Sequence, residues 1–150
     1  MKLSTRTRYG LRAMVELAAY GSSGPLMVRK IAEKQKISKK YLDIIFTSLK
    51  LAGLVRAIRG ATGGFLLTRS PEEIRVSQIV EALEGALAPV ECCQNPDLCD
   101  RSHVCAAHRL WQRLETAIRE TLDEMSLADL VAEQSTLDDD PPFCPPRRKQ

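Results

Sequence analysis

The sequence lacks the features that mark a membrane protein, a secreted protein or an enzyme. No apolar run in its 150 residues approaches the roughly 20 that a membrane-spanning helix requires. The basic opening MKLSTRTRYG leads into an amphipathic helical pattern, whereas a secretion signal would continue as an unbroken apolar stretch. We find no internal repeat and no arrangement of residues suited to catalysis. We therefore expect a cytoplasmic protein that is not an enzyme and does not contact a membrane.

The cysteine count argues against a disulfide-stabilised fold. Five cysteines are an odd number, and without a secretion signal they do not suggest a disulfide framework. Four of them lie with both histidines between Val90 and Trp111, in a polar stretch that offers little to a hydrophobic core. This concentration favours metal binding or redox chemistry.

Acidic residues are scarce in the first half of the chain. Residues 1–70 carry 14 lysines and arginines against 3 acidic residues, a net charge of +11, whereas residues 71–150 carry 8 against 16, a net charge of −8. A charged segment is often only a solvated face. An imbalance this large and this segregated favours a polyanion partner, and nucleic acid is the partner that basic faces most often serve.

Three amphipathic segments open the chain. STRTRYGLRAMVELAAYG, VRKIAEKQK and ISKKYLDIIFTSLKLAGLV each repeat apolar residues at helical spacing. Ser4 or Thr5 can cap the first helix, and Gly53 is a stop signal after the third. The second and third helices form a helix-turn-helix pattern, in which the N-terminal end of the second member meets base edges in the major groove. An ordinary solvated helix face is the alternative.

A β-hairpin is expected next, because the apolar runs LVRAIRG and FLLTRS flank the turn ATGG. After a helix-turn-helix, such a hairpin is the wing of a winged-helix fold, and its arginines can reach phosphates or enter the minor groove. RGATGG lacks the spacing of a phosphate-cradling loop and does not open a helix. The candidate DNA-binding residues are Arg29, Ser38, Lys39, Lys40, Tyr41, Asp43, Lys50, Arg59 and Thr62.

The second half predicts three helices, two of which flank the cysteine-rich loop. PEEIRVSQIVEALEG, CAAHRLWQRLETAIRETLDEM and SLADLVAEQ have helical periodicity. A small domain has little left to cover the long middle helix, so we expect this helix to pair with its copy in a homodimer; packing within one chain is the alternative. From Ser135 onward the chain is rich in proline and charge, and we expect disorder.

The predicted fold is therefore mainly α with a small β-hairpin. It divides into a winged helix-turn-helix DNA-binding domain (1–85), a cysteine-rich loop that could bind a cluster (86–108), a dimerisation helix with a following short helix (106–134) and a disordered tail (135–150).

The spacing of the cysteines defines a candidate ligand set. From Cys93 the pattern is Cys-x5-Cys-x5-Cys-x2-His, which selects Cys93, Cys99, Cys105 and His108. Thiolates are soft ligands that suit iron–sulfur clusters and zinc, and a histidine can replace a cysteine in a cluster. A structural zinc site usually contains a closer cysteine pair than these three provide. An iron–sulfur cluster, zinc, and free or redox-active thiols all stay open on spacing alone.

Three further residues of these types receive lesser roles. Neighbouring residues rarely ligate one small centre together, so Cys92 is a possible substitute for Cys93. His103 is interpreted as a solvated loop residue with a minor chance of competing with His108. Cys144 lies between prolines in the tail and is expected to be a bystander thiol.

Together these motifs resemble the winged-helix regulators of the Rrf-two type. The resemblance rests on MKLSTRTRYGLRAM, IAEKQKISKKYLDIIFTSLKLAGLV, VRAIRGATGGFLLTRS and the three-cysteine loop before a long helix, and it covers residues 1 to about 134. Within the family, the chain is most similar to the iron–sulfur cluster regulators IscR; the nitric-oxide sensors NsrR and the iron regulators RirA are relatives. The resemblance implies a homodimeric regulator, such as a repressor, that binds near-palindromic operators in double-stranded DNA and senses iron–sulfur, redox or iron status.

The resemblance also bears on the cofactor. His108 stands where IscR supplies a histidine to a [2Fe–2S] cluster, whereas NsrR-like proteins complete a [4Fe–4S] cluster with an aspartate at the position of Arg8, which cannot ligate. The implied cofactor is a [2Fe–2S] cluster, with [4Fe–4S] as the alternative. The chain departs from IscR in having Asp43 where IscR has a glutamate, and in its Cys92–Cys93 pair. An iron–sulfur electron-transfer protein is the alternative from another class, although it would have no use for the helix-turn-helix, the wing or the basic half.

Overall fold

A computed structural model of the protein describes residues 2–139. Within that range it has seven helices and one hairpin, joined by short turns of 3₁₀-helix. The elements are α1 Thr5–Ala19, α2 Val28–Gln35, α3 Lys39–Leu51, β1 Val55–Ile58, β2 Gly64–Leu67, α4 Val76–Glu84, α5 Glu91–Gln94, α6 Ala106–Glu124 and α7 Leu127–Asp139. The mainly helical fold with a two-stranded antiparallel hairpin confirms the predicted fold class. Every helix between residues 2 and 139 is too short or too polar to span a bilayer.

Local sequence signals place the helices of the first half. Ser4 caps α1 by accepting a hydrogen bond from the Thr7 amide at 3.2 Å, and Ser38 caps α3 by accepting from the Tyr41 amide at 3.1 Å. Lys36 ends α2 in the left-handed conformation, with φ of 54°, and so makes the tight turn between the two members of the helix-turn-helix. The third helix ends before Gly53, which has φ of 72°.

The apolar stripes of these helices meet in one core. Met14 of α1, Ile45 and Phe46 of α3, Ile79 of α4 and Leu127 of α7 are all fully buried in it. A second, smaller cluster joins Val76, Val80 and Leu87 to the inner side of α6. Burial of a large aliphatic or aromatic side chain contributes roughly 1.5–3 kcal/mol, so these stripes stabilise the orientation of α3 that the DNA-binding surface needs.

The base of the hairpin is attached to the helical core through backbone hydrogen bonds and packed side chains. Its strands pair in the register Val55↔Leu67 to Ile58↔Gly64, and Phe65 exchanges two backbone hydrogen bonds with Leu26, at 2.9 and 3.0 Å. A Cβ at Gly64 would lie 2.5 Å from the backbone carbonyl of Leu26, so only glycine allows this approach. The rings of Phe65 and Phe46 lie 4.6 Å apart, which fixes the base of the wing against α3.

The last two helices close over the first half. The Leu127 amide donates to the carbonyl of Ile74 at 2.8 Å, and the Val76 amide donates to the carbonyl of Met125 at 3.0 Å. These two hydrogen bonds hold the start of α7 against the start of α4. Ser126 and Asp129 form a capping-box-like arrangement at the N-terminus of α7.

The expectation that disorder begins at Ser135 is wrong for residues 135–139, because α7 continues to Asp139. Hydrogen bonds along the helix, such as Gln134 Nε2 to Asp138 Oδ1 at 2.8 Å, carry it past the predicted end at residue 134. Residues 140–150, with the bystander Cys144, lie outside the described residues.

Candidate DNA-binding surface and candidate metal centre

The outer face of α3 carries most of the residues predicted to contact DNA. Ser38, Lys39, Lys40, Asp43 and Lys50 are all exposed. The ammonium group of Lys39 lies 2.8 Å from the carboxylate of Asp43, one helical turn further on, so the charges of these two side chains are already paired in the free protein. Lys40 and Lys50 lie on the same exposed helix, where lysines can contact phosphates.

Two of the predicted residues have additional structural contacts. Tyr41 is half-buried, and its ring meets that of Tyr9 edge-on with centroids 6.0 Å apart, so it helps to fix α1 against α3. Arg29 is exposed on α2 and pairs with Glu33 at 3.7 Å.

The tip of the wing presents the remaining two predicted residues. Arg59 and Thr62 are exposed in the turn between β1 and β2. The Gly63 amide donates to the Gly60 carbonyl at 3.1 Å, and Gly60 has φ of 117°, which closes the turn. Because the turn is tight and anchored through Gly64, the side chain of Arg59 projects from a rigid base.

Arg6 and Ile44 also lie at this face and were not among the predicted residues. The guanidinium group of Arg6 donates to the hydroxyl of Ser48 and so places a positive charge from α1 beside α3. Ile44 is 51% exposed between Asp43 and Ile45 on the same helix. The basic opening of the chain was a signal for Arg6, but its contact spans 42 positions and cannot be read from local spacing.

The candidate metal centre lies between α5 and the first turn of α6. Cys92 and Cys93 lie on α5, and Cys105 is the N-cap of α6, where its sulfur accepts a hydrogen bond from the His108 amide at 3.4 Å. The His108 side chain is buried, and its Nδ1 lies 3.5 Å from the sulfur of Cys92.

Two of the four ligands selected by spacing come together with one that was set aside. The ligand atoms of Cys92, Cys93 and His108 all lie within 4.8 Å of one another, close enough to hold a single metal ion. Cys99 and Cys105 lie outside this group, although both belong to the same loop and its junction with α6. Cys99 sits between two 3₁₀ turns and is held there by backbone hydrogen bonds to Pro96 and Ser102.

The electrostatics around Cys93 favour its protonated thiol in the absence of a metal. Burial raises the pKa of the Cys93 thiol, and the neighbouring Cys92 thiol and the Glu115 carboxylate raise it further. A metal binds the thiolate and not the thiol, so ligation here would release protons.

The donor set fits a thiophilic centre. Thiolates and a neutral imidazole are the ligands of zinc and of iron–sulfur clusters. The loop also buries the hydroxyl of Ser102, which has no hydrogen-bond partner among residues 2–139. Such a group is costly to bury unpaired, and a bound group in the loop is one way to satisfy it. A cluster of several metal atoms spreads its ligands further than one ion does, so the positions of Cys99 and Cys105 do not exclude one.

The helix-turn-helix, the hairpin wing and the exposed basic face of α3 define a winged-helix DNA-binding protein. A profile of the Rrf2 family, described as iron-dependent transcriptional regulators, matches residues 3–133. The chain belongs to the Rrf2 family and is a DNA-binding transcriptional regulator.

Its relatives include regulators of different kinds. Protein rrf2 of Nitratidesulfovibrio vulgaris Hildenborough is 39% identical over 135 residues, which are 90% of each chain. The structure of CymR, the global cysteine regulator of B. subtilis, is similar with a TM-score of 0.74 and 38% identity, covering 89% of this chain and 98% of CymR. The structure of T. potens IscR also has a TM-score of 0.74, with 34% identity, covering 91% of this chain and 90% of IscR. Membership of the family therefore shows that the chain is a transcriptional regulator, but relatives with different signals share the fold.

Proposed function

We propose that the protein is a homodimeric regulator that binds near-palindromic operators and holds a [2Fe–2S] cluster through Cys93, Cys99, Cys105 and His108. In this proposal, loading of the cluster changes the affinity for the operator. The observation that carries the proposal is the position of His108, which is buried one turn into α6 beside the thiols of α5.

The separation of charge along the sequence supports the assignment of DNA binding to the first half of the chain. The first 70 residues have a net charge of +11, and this half contains α3 and the wing. Contacts from lysine and arginine release counterions from DNA, so they supply sequence-independent affinity, while the outer face of α3 reads base edges. Arg59 would contact the backbone or the minor groove from the wing.

An uncovered face of α6 supports the homodimer. The inner side of this helix packs Ile118 and Leu122 against the second apolar cluster. On its outer side, Leu110 is 55% exposed and Leu114 is 38% exposed, and Ala117 continues this stripe at helical spacing. A symmetric pair of α6 helices would cover these residues, and it would place two recognition helices on one face as a palindromic site requires.

Cys93, Cys99, Cys105 and His108 would hold the cluster, which when bound supplies a redox-active centre that can be lost or oxidised. A histidine ligand raises the reduction potential relative to ligation by cysteine alone. In holding the cluster, these residues tie α5 and the loop of residues 95–104 to the first turn of α6. The loop makes few apolar contacts of its own, so ligation would order the start of α6 and its packing against α4.

A continuous set of contacts connects the centre to the recognition helix. Ser77 of α4 hydrogen-bonds Asp123 of α6, and Arg119 of α6 pairs with Glu81 of α4. The last residue of α4, Glu84, accepts hydrogen bonds from the N-terminus of α1, and α1 reaches α3 through Arg6. A coupling of about 1–3 kcal/mol along such a path would change operator affinity by ~5–150-fold.

The first experiment is native mass spectrometry of the anaerobically purified protein, because it reports oligomeric state and bound metal together. The proposal expects a dimer with one [2Fe–2S] mass per chain. Operator fragments selected from genomic DNA are then bound by loaded and metal-free protein. Cys93→Ala, Cys99→Ala and Cys105→Ala should bind as the metal-free protein does, and Cys144→Ala, which removes the thiol of the tail, should bind as the wild type does. Equal binding by all of these proteins would disprove the coupling, and a [4Fe–4S] mass would replace the proposed cluster with the alternative.

A second candidate is a cysteine regulator like CymR. CymR is 38% identical to the chain, against 34% for T. potens IscR. If this candidate is correct, the protein should contain no iron after anaerobic reconstitution, and its affinity for the operator should not depend on metal loading. A colourless protein with bound zinc would favour it together with a structural role for the cysteine centre.

A further inference from the structure

The chain offers more ligands than the proposed cluster needs. Four cysteines and His108 lie on α5, in the loop of residues 95–104 and at the start of α6, and the proposed set uses three of the cysteines. Cys92 is left over, although its sulfur is the one that lies beside the ring of His108.

The geometry places two different donors side by side. The sulfur of Cys92 lies 3.5 Å from Nδ1 of His108, and both atoms lie within 4.8 Å of the sulfur of Cys93. The two donors come from different elements, Cys92 from α5 and His108 from α6. Either atom is therefore close enough to the sulfur of Cys93 to bind the same metal.

We propose that Cys92 is a second ligand for the coordination position of His108. The centre can then be held by three thiolates and one imidazole or, after exchange, by four thiolates. This inference rests on the proposed function, because it concerns the same cluster.

The exchange balances as a ligand substitution with a proton transfer. In such an exchange Cys92 would hold the position as a thiolate, its proton would pass to the solvent or to the released imidazole, and His108 would no longer be a ligand. No electron is transferred, and the ligand set becomes more negative by one charge. Because histidine ligation raises the potential, the form held by Cys92 has the lower reduction potential.

The test uses the full-length protein, reconstituted anaerobically with iron and sulfide. The variants are His108→Ala, Cys92→Ser and the double variant of both, and iron and sulfide per chain and the reduction potential are measured. We expect His108→Ala to keep most of its cluster at a lower potential, and Cys92→Ser to keep its cluster at the wild-type potential. The double variant should hold less cluster by roughly 10-fold or more.

Three controls separate ligation from other effects. His108→Ala combined with Cys144→Ser should keep its cluster, which shows that a thiol elsewhere in the chain is not the replacement. Far-UV circular dichroism of the metal-free variants should match that of the wild type, and His108→Gln repeats the experiment with a side chain of closer size if His108→Ala does not fold.

Several results would overturn the inference. If His108→Ala loses its cluster as fully as the double variant, Cys92 does not ligate. If Cys92→Ser alone shifts the potential while His108→Ala has no cluster, Cys92 only orients the ring through a hydrogen bond to Nδ1. If the double variant keeps the cluster of His108→Ala, another residue replaces the histidine. A wild-type protein that takes up no iron refutes the proposed function and this inference together, whereas a loaded wild type with any of the first three results refutes the inference alone.

Discussion

The ammonium group of Lys39 and the carboxylate of Asp43 lie 2.8 Å apart on the outer face of α3. This contact neutralises a charge on the helix that is expected to enter the major groove. A base contact by either side chain would therefore compete with this pair or add to it. A carboxylate can accept a hydrogen bond from cytosine, and a lysine can donate to guanine. The base that Asp43 accepts from and the group that Lys39 contacts are therefore expected to depend on each other.

We expect Asp43→Ala to change base preference more than affinity. Loss of a base-specific contact changes discrimination at one position by about 1–3 kcal/mol, and the freed Lys39 would partly compensate in overall affinity. Selection of operators from a randomised pool, compared between wild type and variant, measures the preference. Asp43→Glu serves as the matched change because it keeps the charge and adds one methylene. An identical selected sequence for Asp43→Ala and wild type would remove Asp43 from the readout.

Arg59→Ala should weaken DNA binding and reduce its dependence on salt. Arg59 is exposed at the tip of the wing, where it can neutralise a phosphate or lie in the minor groove. Loss of one phosphate contact should lower the slope of log K against log salt by about 1. Fluorescence anisotropy at several salt concentrations measures this slope. Arg101→Ala removes the same charge from the cysteine-rich loop, and an equal effect there would argue against a specific role for the wing.

The exposed leucines of α6 test the homodimer. Leu110→Glu with Leu114→Glu should give a folded monomer, because both side chains are exposed in the single chain and burial of each in a dimer is worth roughly 1.5–3 kcal/mol. Size-exclusion chromatography with light scattering reports the mass. Leu98→Glu is the control, since Leu98 is 65% exposed in the cysteine-rich loop and away from this stripe. A dimer that persists in the double variant would place the interface elsewhere.

Glu84 should make the stability of the protein depend on pH below about 4.5. Hydrogen bonds from Thr7 and Ser4 hold the pKa of this carboxyl group below its ordinary value of 4.5. Because the native pKa is lower than the unfolded one, the carboxylate adds stability above pH 4.5, and this contribution is lost as the pH falls through the native pKa. The free energy of unfolding from urea denaturation should therefore be higher for wild type than for Glu84→Gln at pH 7, with the difference shrinking in acid. Glu120→Gln, at an exposed position on α6, should not reproduce this pattern.

The sequence was sufficient for the parts of the fold that depend on short-range spacing. The stripe of Leu42, Ile45, Phe46 and Leu49 determines which side of α3 is buried, and so which side is left for DNA. The wing follows from two short apolar runs and a glycine turn. These signals need only neighbouring residues, and the structure confirms both elements.

Contacts between distant residues could not be predicted in the same way. Cys92 and His108 are 16 positions apart, and their approach depends on how α5 folds back against α6. Neighbouring cysteines rarely ligate one small centre together, and this rule selected Cys93 and set Cys92 aside. In the structure the sulfurs of both cysteines lie near the imidazole of His108. Arg6 meets Ser48 across 42 positions, and α7 runs further than its composition suggested, because contacts within the helix outweigh the charge-rich sequence around Ser135.

The burial of Leu127 has a consequence for the synthesis of the protein. This residue belongs to the last described helix, yet it is fully buried in the core that also holds Met14 and Ile45. Translation delivers the DNA-binding elements before this leucine. A nascent chain that has not yet reached Leu127 therefore holds its recognition helix on a core that lacks one of its buried side chains.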